Sequence, residues 1–405
     1  MKRIERGEYL SKLKKFRDKK LIKVVTGIRR CGKSTLMEIY RDWLICQGVS
    51  SERIVFINFE DYDYFSLRDP QNLYGYVKDR LSETEMTYLF FDEVQHVRDF
   101  PDVINSLNLK PNTDLYLTGS NAYMLSSELA TLLSGRYVEI SMLPLSFREY
   151  VEAIGGQNSL QDSYNQYVTN SSFPYTLELE SSDEISDYLN AVYNTIVVKD
   201  IMTRQKIQDV TMLESVIRFA ADNIGNILST KRIADLMTAE GRKIDQKTVE
   251  KYMHALCETF FLYEAKRYNI KGKQLLKSLS KYYLVDIGLR RMLLGSRGFD
   301  VGRVLENEVY LELLHRHSQV YVGKNDQLEV DFVTINTDGL AYYQVAATVR
   351  DSATLERELA SLRNIDDHYP KYLLTLDDDP DSDYDGIIRT NALKWMMNEE
   401  KEENL

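Results

Sequence analysis

Through the first 150 positions the apolar residues gather in short, nearly unbroken runs: LIKVVT (21–26), RIVFINFE (53–60), TYLFFDE (87–93), DLYLTGSN (114–121) and a fifth at 137–142. Each run is rich in β-branched and aromatic residues and is bounded by glycine or polar residues, the pattern of a buried strand. The stretches between them carry helical periodicity. Strand and helix in strict alternation predict a parallel sheet with helices on both faces. The leading segment, MKRIERGEYLSKLKKF, reads as a short amphipathic helix entering the first strand.

After position 150 the pattern changes to helix. A bridging helix is predicted over 184–204, then three more over 212–223, 229–239 and 246–259, with Ser229 and Asp245 placed as N-caps. The segment TFFLYEAKRYNIKGKQLLKSLSKYYLVDIGL alternates like two strands around a polar tip. Three helices and a hairpin make a winged helix-turn-helix. Beyond it, RVLENEVYLELLHR reads as a helix, QLEVDFVTI and AYYQVAATV as strands, RELASLRNI as a helix and KYLLTLD as a strand. The predicted organisation is an α/β domain over 1–150, a helical linker or lid over 151–205, a winged-helix domain over 206–298, a second α/β domain over 299–395 and a tail over 396–405.

Composition adds bounds. A chain of 405 residues with 43% hydrophobic and 28% charged residues fits several packed domains rather than a disordered chain. The formal net charge of −11 disfavours a protein that coats nucleic acid non-specifically. Locally the balance inverts: between Lys231 and Lys281, twelve Lys and Arg face six acids. That is the footprint of phosphate contact, with Gln246, Lys247 and Lys251 opening a recognition helix and Lys271 and Lys273 at the tip of a wing. A lid or protein contact is the other use of such a module. Cys31, Cys46 and Cys257 form neither a disulfide framework nor a metal cluster. No apolar run approaches the ~20 residues that span a bilayer, and the N-terminus lacks the apolar core of a signal peptide. The expectation is a cytoplasmic protein that makes no use of a membrane.

The strand ends carry the chemistry. After the first strand comes Gly27-Ile28-Arg29-Arg30-Cys31-Gly32-Lys33-Ser34-Thr35, which matches the phosphate-cradling loop G-x-x-x-x-G-K-[ST]. Its glycines let backbone N–H groups turn onto phosphate oxygens. Lys33 would reach the β- and γ-phosphates, Ser34 would hold Mg2+, and the helix N-terminus adds its positive end. The third strand ends in Asp92 and Glu93, an acid for the Mg2+ shell and an acid to polarise the attacking water. The fourth ends in Thr118, Ser120 and Asn121, candidates to sense the γ-phosphate, with Ser120 favoured. Arg136, just before the fifth strand, could stabilise γ-phosphate charge in cis or across a subunit interface, so an oligomer is among the expected states. Asn58, Glu60 and Asp61 lie at the ligand-binding edge of the second strand, where they cap a loop or hold water. Cys31 stands beside the helix N-terminus, where thiolate is favoured and alkylation is expected to compete with nucleotide. No N-K-x-D element is near, which favours ATP over GTP.

The series GIRRCGKSTL, LFFDEVQHV, LYLTGSN, LLSGRY and LPLSFREY resembles successive motifs of a large group of bacterial and archaeal ATPases, over most of the chain. The resemblance implies an AAA-type P-loop domain, of the class with an additional strand between the two that carry the phosphate loop and the Asp-Glu pair. An uncharacterised C-terminal region follows it in that group. KTVEKYMHAL and KYYLVDIGLR are similar to the group's stretches there. The sequence departs from the group at Asn170-Ser171-Ser172-Phe173-Pro174, where Gly-Gly-Phe-Pro is usual. The order of elements after 299 resembles the PD-(D/E)XK nuclease fold. That resemblance implies Glu306 as the helix acid, Asp331 as the strand acid and Gln344-Val345-Ala346 in place of an E/Q-x-K tripeptide. Ala346 cannot do the work of the lysine, so an inactive nuclease-like domain is expected. DDDPDSDYD (377–385) lacks the Gly and terminal Glu of a calcium loop and reads as a solvated turn. Three functions remain in play: an ATPase that moves its C-terminal module on DNA or a protein partner, a slowly turning ATP switch on such a partner, and an ATP-dependent nuclease.

Overall fold

A computed structural model describes residues 3–122, 135–202, 207, 209–276, 279–295, 300–337 and 339–397. Residues 398–405 of the expected tail, 132–134 of LLSGRY, 203–204 at the end of the bridging helix, and Lys277 lie outside the described residues. The chain divides into two compact units, one holding 1–144 with 258–260, the other 145–257 with 261–405.

The first unit contains α1 (Gly7–Lys15), β1 (Ile22–Thr26), α2 (Lys33–Cys46), β2 (Ile54–Asn58), α3 (Pro70–Lys78), β3 (Thr87–Asp92), α4 (Phe100–Asn108), β4 (Thr113–Gly119) and β5 (Tyr137–Ser141). Its sheet is parallel throughout, in the order β2-β3-β4-β1-β5. The strand β4 lies between β1 and β3, as the additional-strand arrangement requires. The central strands β1, β3 and β4 are buried along their whole length, because helices cover both faces of such a sheet. The edge strand β2 instead alternates in burial. Ile22, Val24, Ile57, Leu89, Phe91, Leu115 and Leu117 join α3 and α4 residues in one apolar core. Residues 258–260 belong to this unit: the Glu258 carbonyl accepts from the N–H of Ala122, just beyond β4 (2.8 Å).

The second unit begins with α5 (Phe147–Ala153), α6 (Leu160–Asn170) and α7 (Ser182–Asn194). The predicted bridging helix is α-helical only to Asn194 and widens to a π-helix over Thr195–Met202. Then come α8 (Val210–Asp222), β6 (Ile227–Leu228), α9 (Thr230–Ala239), α10 (Gln246–Glu258), β7 (Leu262–Ala265), β8 (Arg267–Asn269), β9 (Gln274–Leu275), β10 (Ser280–Leu284) and α11 (Ile287–Leu294). The rest is α12 (Val301–Arg316), β11 (Val320–Asn325), β12 (Leu328–Asn336), β13 (Gly339–Ala346), α13 (Ser352–Arg363), β14 (Lys371–Thr375), β15 (Ser382–Tyr384), β16 (Ile387–Asn391) and α14 (Ala392–Met397). Strands β6, β10 and β7 form a three-stranded antiparallel sheet, with α8 and α12 packed on β10.

The expected free wing is different. Its tip folds away as the β8–β9 hairpin and joins the edge of the eight-stranded sheet, where β8 runs parallel to β11 and Lys271 pairs with Asp326. The same hairpin carries the packing across the expected boundary near position 298. The acidic stretch 377–385 is not simply a solvated turn either. Asp377 is buried and accepts from the Thr348 hydroxyl (2.7 Å) and the Val349 N–H (2.8 Å).

The Ser171-Ser172 departure has a structural meaning. Ser171 sits at φ +83°, a region glycine enters without strain and serine does not, at a cost on the order of 1 kcal/mol or more. Its Cβ lies 2.5 Å from where a Cβ on Gly288 would stand. Ser172 compensates, since its N–H and hydroxyl both donate to buried Asp286 (2.7 Å each). Asp286 in turn caps α11 through the Leu289 N–H (2.7 Å).

Candidate functional site

The loop between β1 and α2 is shaped by two glycines. Gly27 adopts φ +148°, and a Cβ there would fall 2.1 Å from the Met142 carbonyl oxygen, so only glycine fits. Gly32 caps α2 at φ +107°. The first N–H groups of α2, from Lys33 onward, have no carbonyl one turn back and point out of the helix end. Those donors, the positive end of the helix and the turned loop form an anion cradle.

Lys33 is buried at the centre of it. Its ammonium donates to the Gly27 and Ile28 carbonyls (3.0 and 3.1 Å) and lies 3.9 Å from a Glu93 carboxylate oxygen. In this conformation its acceptors are the chain's own carbonyls. Ile28 and Cys31 point inward, fully buried; Arg29 is half-buried and pairs with Glu60 (3.2 Å); Arg30 is exposed at φ +68°. The Cys31 thiol packs on Gly27, so the expected ready alkylation is corrected: a reagent reaches it only if the loop opens. Ser34 and Thr35 are half-buried on the first turn of α2.

At the end of β3, Thr118 donates to Asp92 and accepts from the Glu93 N–H (2.8 Å). The other Asp92 oxygen is buried and has no hydrogen-bond partner. Burial raises the Asp92 pKa, against the hydrogen bond from Thr118 and the Lys33 charge, which favour the charged form. A buried carboxylate oxygen left unpaired beside Ser34 fits a hard divalent cation of the Mg2+ type.

Glu93 sits in the left-handed region at φ +54°. Ser120 donates to its Oε2 (3.2 Å), and so does Gln95. Burial would raise its pKa, but Lys33, Arg29 and these bonds outweigh that and hold it below the usual range, ready to accept a hydrogen bond as a carboxylate. Sequence reading passed over Gln95; its place two residues beyond Glu93, on the same tight turn, was the available signal.

Other predicted residues fall elsewhere. Asn58 and Asp61 cap their own loop, accepting from the N–H groups of Glu60 (2.8 Å) and Asp63 (3.0 Å). Asn121 is buried beside Ser120 in the sequence. Arg136 is exposed and donates to Asn105 (2.8 Å), while its carbonyl accepts from Ile22 at the opposite end of β1 from the loop. Five residues of strand separate that end from Gly27, about 15 Å. The reading of Arg136 in cis is therefore corrected, because the β5 start and the cradle lie on opposite edges of one parallel sheet.

Residues 19–151 match the family model described as an AAA domain, and 161–300 match a domain of unknown function, DUF8612. An uncharacterised protein of Haemophilus influenzae is 38% identical over 398 residues, 97% of this chain and 98% of that protein. The chain belongs to this family of AAA-domain proteins. An uncharacterised protein of Methanocaldococcus jannaschii shares 26% identity over 326 residues, 77% of this chain and 71% of its own. Among solved structures, the Walker-type ATPase PABY2304 of Pyrococcus abyssi superposes with a TM-score of 0.50 at 17% identity, covering 72% of this chain and 95% of that one. This likeness concerns the fold. The AAA domain is a P-loop ATPase fold, a fold that binds nucleotide. No described helix is long and apolar enough to cross a membrane.

In the second unit, the expected nuclease residues Glu306, Asp331 and Gln344 do converge. Gln344 accepts from the Asp331 N–H (3.3 Å) and donates to Glu358 (2.8 Å). Ala346 is buried and brings no cation. Lys281 reaches the cluster instead, and so leaves the surface footprint in which sequence reading had counted it. The period-two pattern of β10, which puts Lys281 on the same face as buried Tyr283, was the signal for it.

Proposed function

We propose that this protein binds and hydrolyses ATP in the cradle of residues 27–35, and that the nucleotide state moves the C-terminal unit on duplex DNA. The observation that carries the reading is the set at the strand ends. Lys33 rests on its own loop carbonyls, Asp92 keeps a buried oxygen unpaired, and Glu93 is held charged by Lys33 and Arg29 with Gln95 and Ser120. Each is a half-made interaction that a nucleotide would complete.

The residues then act as follows. Backbone N–H groups of the loop and of the first turn of α2 bind the phosphates. Lys33 leaves the Gly27 and Ile28 carbonyls for the β- and γ-phosphate oxygens. Ser34 and Asp92 would hold Mg2+, which supplies charge neutralisation across those phosphates. Glu93 accepts a hydrogen bond from the attacking water and takes its proton as the new P–O bond forms and the bond to the ADP oxygen breaks. Ser120 shares that carboxylate and so reports whether the γ-phosphate is present. Arg136, exposed on the far edge, serves a neighbouring copy rather than its own site. Ala122 follows Ser120 closely, and its N–H donates to the Glu258 carbonyl within the same unit.

DNA is favoured as the partner by charge. Lys231, Arg232, Arg242, Lys243, Lys247 and Lys251 are exposed on α9, α10 and the turn between them, in a winged-helix-like order of elements. Duplex affinity should differ about 5–150-fold between Glu93→Gln with ATP and the parent with ADP. Replacing Arg242, Lys243 and Lys247 by Ala should flatten the salt dependence by about one logarithmic unit of slope for each phosphate no longer neutralised. Equal affinity in both nucleotide states, or an unchanged salt slope, would move the reading to a protein partner.

A further inference from the structure

Lys281 of β10 is a buried cation, with its side chain 5% exposed. Three carboxylates surround its ammonium. Glu306 from α12 lies at 2.9 Å, Glu329 from β12 at 2.9 Å and Asp331 from β12 at 3.5 Å. The ammonium donates to Glu306, and Glu329 and Asp331 stand within ion-pair distance of it. The carboxylates are held from other sides as well. Tyr283 donates to the same Glu306 oxygen as Lys281 (2.7 Å), and the Val345 N–H donates to Asp331 (2.9 Å). Glu306 is further closed in by Gly225, where an added Cβ would meet a carboxylate oxygen at 3.0 Å.

The resemblance to nucleases implies a divalent metal between a helix acid and a strand acid here. The residues present do not fit one. Among the described residues no group of three or more His, Cys, Asp or Glu is arranged to hold a metal ion. The carboxylates that would ligate it are turned onto Lys281. Burial and the Glu306 charge raise the Asp331 pKa, against Lys281 and the Val345 N–H, which favour the carboxylate. Burial alone would strip the proton from Lys281, but Glu306, Asp331 and Glu329 outweigh it and keep the ammonium charged.

We propose that the Lys281 ammonium is the resident cation of this cluster and excludes a divalent metal from it. The ammonium also ties β10 to α12 and to β12 of the larger sheet. The second unit then carries no metal-dependent phosphodiester chemistry at Asp331, and its helical and sheet portions move as one body.

Manganese titration of the nucleotide-free full chain, followed by the electron paramagnetic resonance of free Mn2+, tests this directly. The parent and Asp331→Asn should bind the same amount, with no site lost on substitution. Lys281→Met should gain one Mn2+ per chain, and Lys281→Met/Asp331→Asn should lose it again. Lys281→Gln serves if Lys281→Met does not fold, with circular dichroism as the check. A parental Mn2+ site that Asp331→Asn abolishes would overturn the proposal. So would a folded Lys281 variant that gains no site. Neither result depends on ATP binding, so the reading of the first unit stands or falls separately.

Discussion

Glu93→Gln should bind ATP as tightly as the parent and turn it over about 100- to 1,000-fold more slowly. The substitution keeps the size of the side chain, and its amide oxygen can still accept from Ser120 and Gln95, the two donors on Oε2. It removes the negative charge that Lys33 and Arg29 stabilise and with it the ability to take a proton from water. Ground-state contacts to the phosphates come from the loop and Lys33, so affinity is spared while the chemical step is lost. Single-turnover hydrolysis, with nucleotide binding measured beside it, separates the two. Parental rates in Glu93→Gln would mean that another group activates the water.

Asp114→Ala should destabilise the first unit by about 3–5 kcal/mol, the cost of removing one partner of a buried ion pair. Lys23 and Asp114 are almost wholly buried and bonded to each other across β1 and β4. Asp114 also accepts from the Asp18 N–H (2.9 Å) and the Tyr116 hydroxyl (2.8 Å), and Tyr116 bonds Tyr40 of α2 (3.0 Å). Without the carboxylate, Lys23 keeps the Lys19 carbonyl (2.9 Å) and the face of Tyr116, and the Asp18 N–H and Tyr116 hydroxyl lose one acceptor. Lys23→Met with Asp114→Leu should cost less than Asp114→Ala, because no unpaired charge remains inside. Urea unfolding monitored on the parent, the single variant and the double variant provides the comparison. A single variant within about 1 kcal/mol of the parent would show that water reaches the pair.

The first unit was legible because local and global signals coincide there. The apolar runs that mark β1, β3 and β4 are buried on both faces, and the phosphate loop and Asp92-Glu93 follow directly from two of them. The place of β4 between β1 and β3 followed as well, from the resemblance to additional-strand ATPases. Arg136 was misplaced for a geometric reason: nearness to a strand says nothing about which end of the sheet it occupies. Cys31 was misread because position in the loop does not fix the direction of a side chain.

The second unit was less legible. Its helices were visible from periodicity and caps, but the hairpin at 267–275 pairs with β11, some fifty residues away in sequence, and no local pattern announces such a partner. The strand β11 and the terminal pair β15–β16 were missed among polar residues for the same reason. Lys281 looked like one more surface cation until three acids from distant elements closed on it.

The claim beneath the rest is that residues 27–35 cradle ATP, and equilibrium ATP binding to the parent and to Lys33→Ala, by calorimetry with Mg2+ present, tests it most directly. The account predicts saturable one-to-one binding by the parent and a loss of at least about 100-fold in Lys33→Ala, since an ammonium on two phosphates is worth about 3 kcal/mol or more. Equal affinity in the two proteins would contradict it.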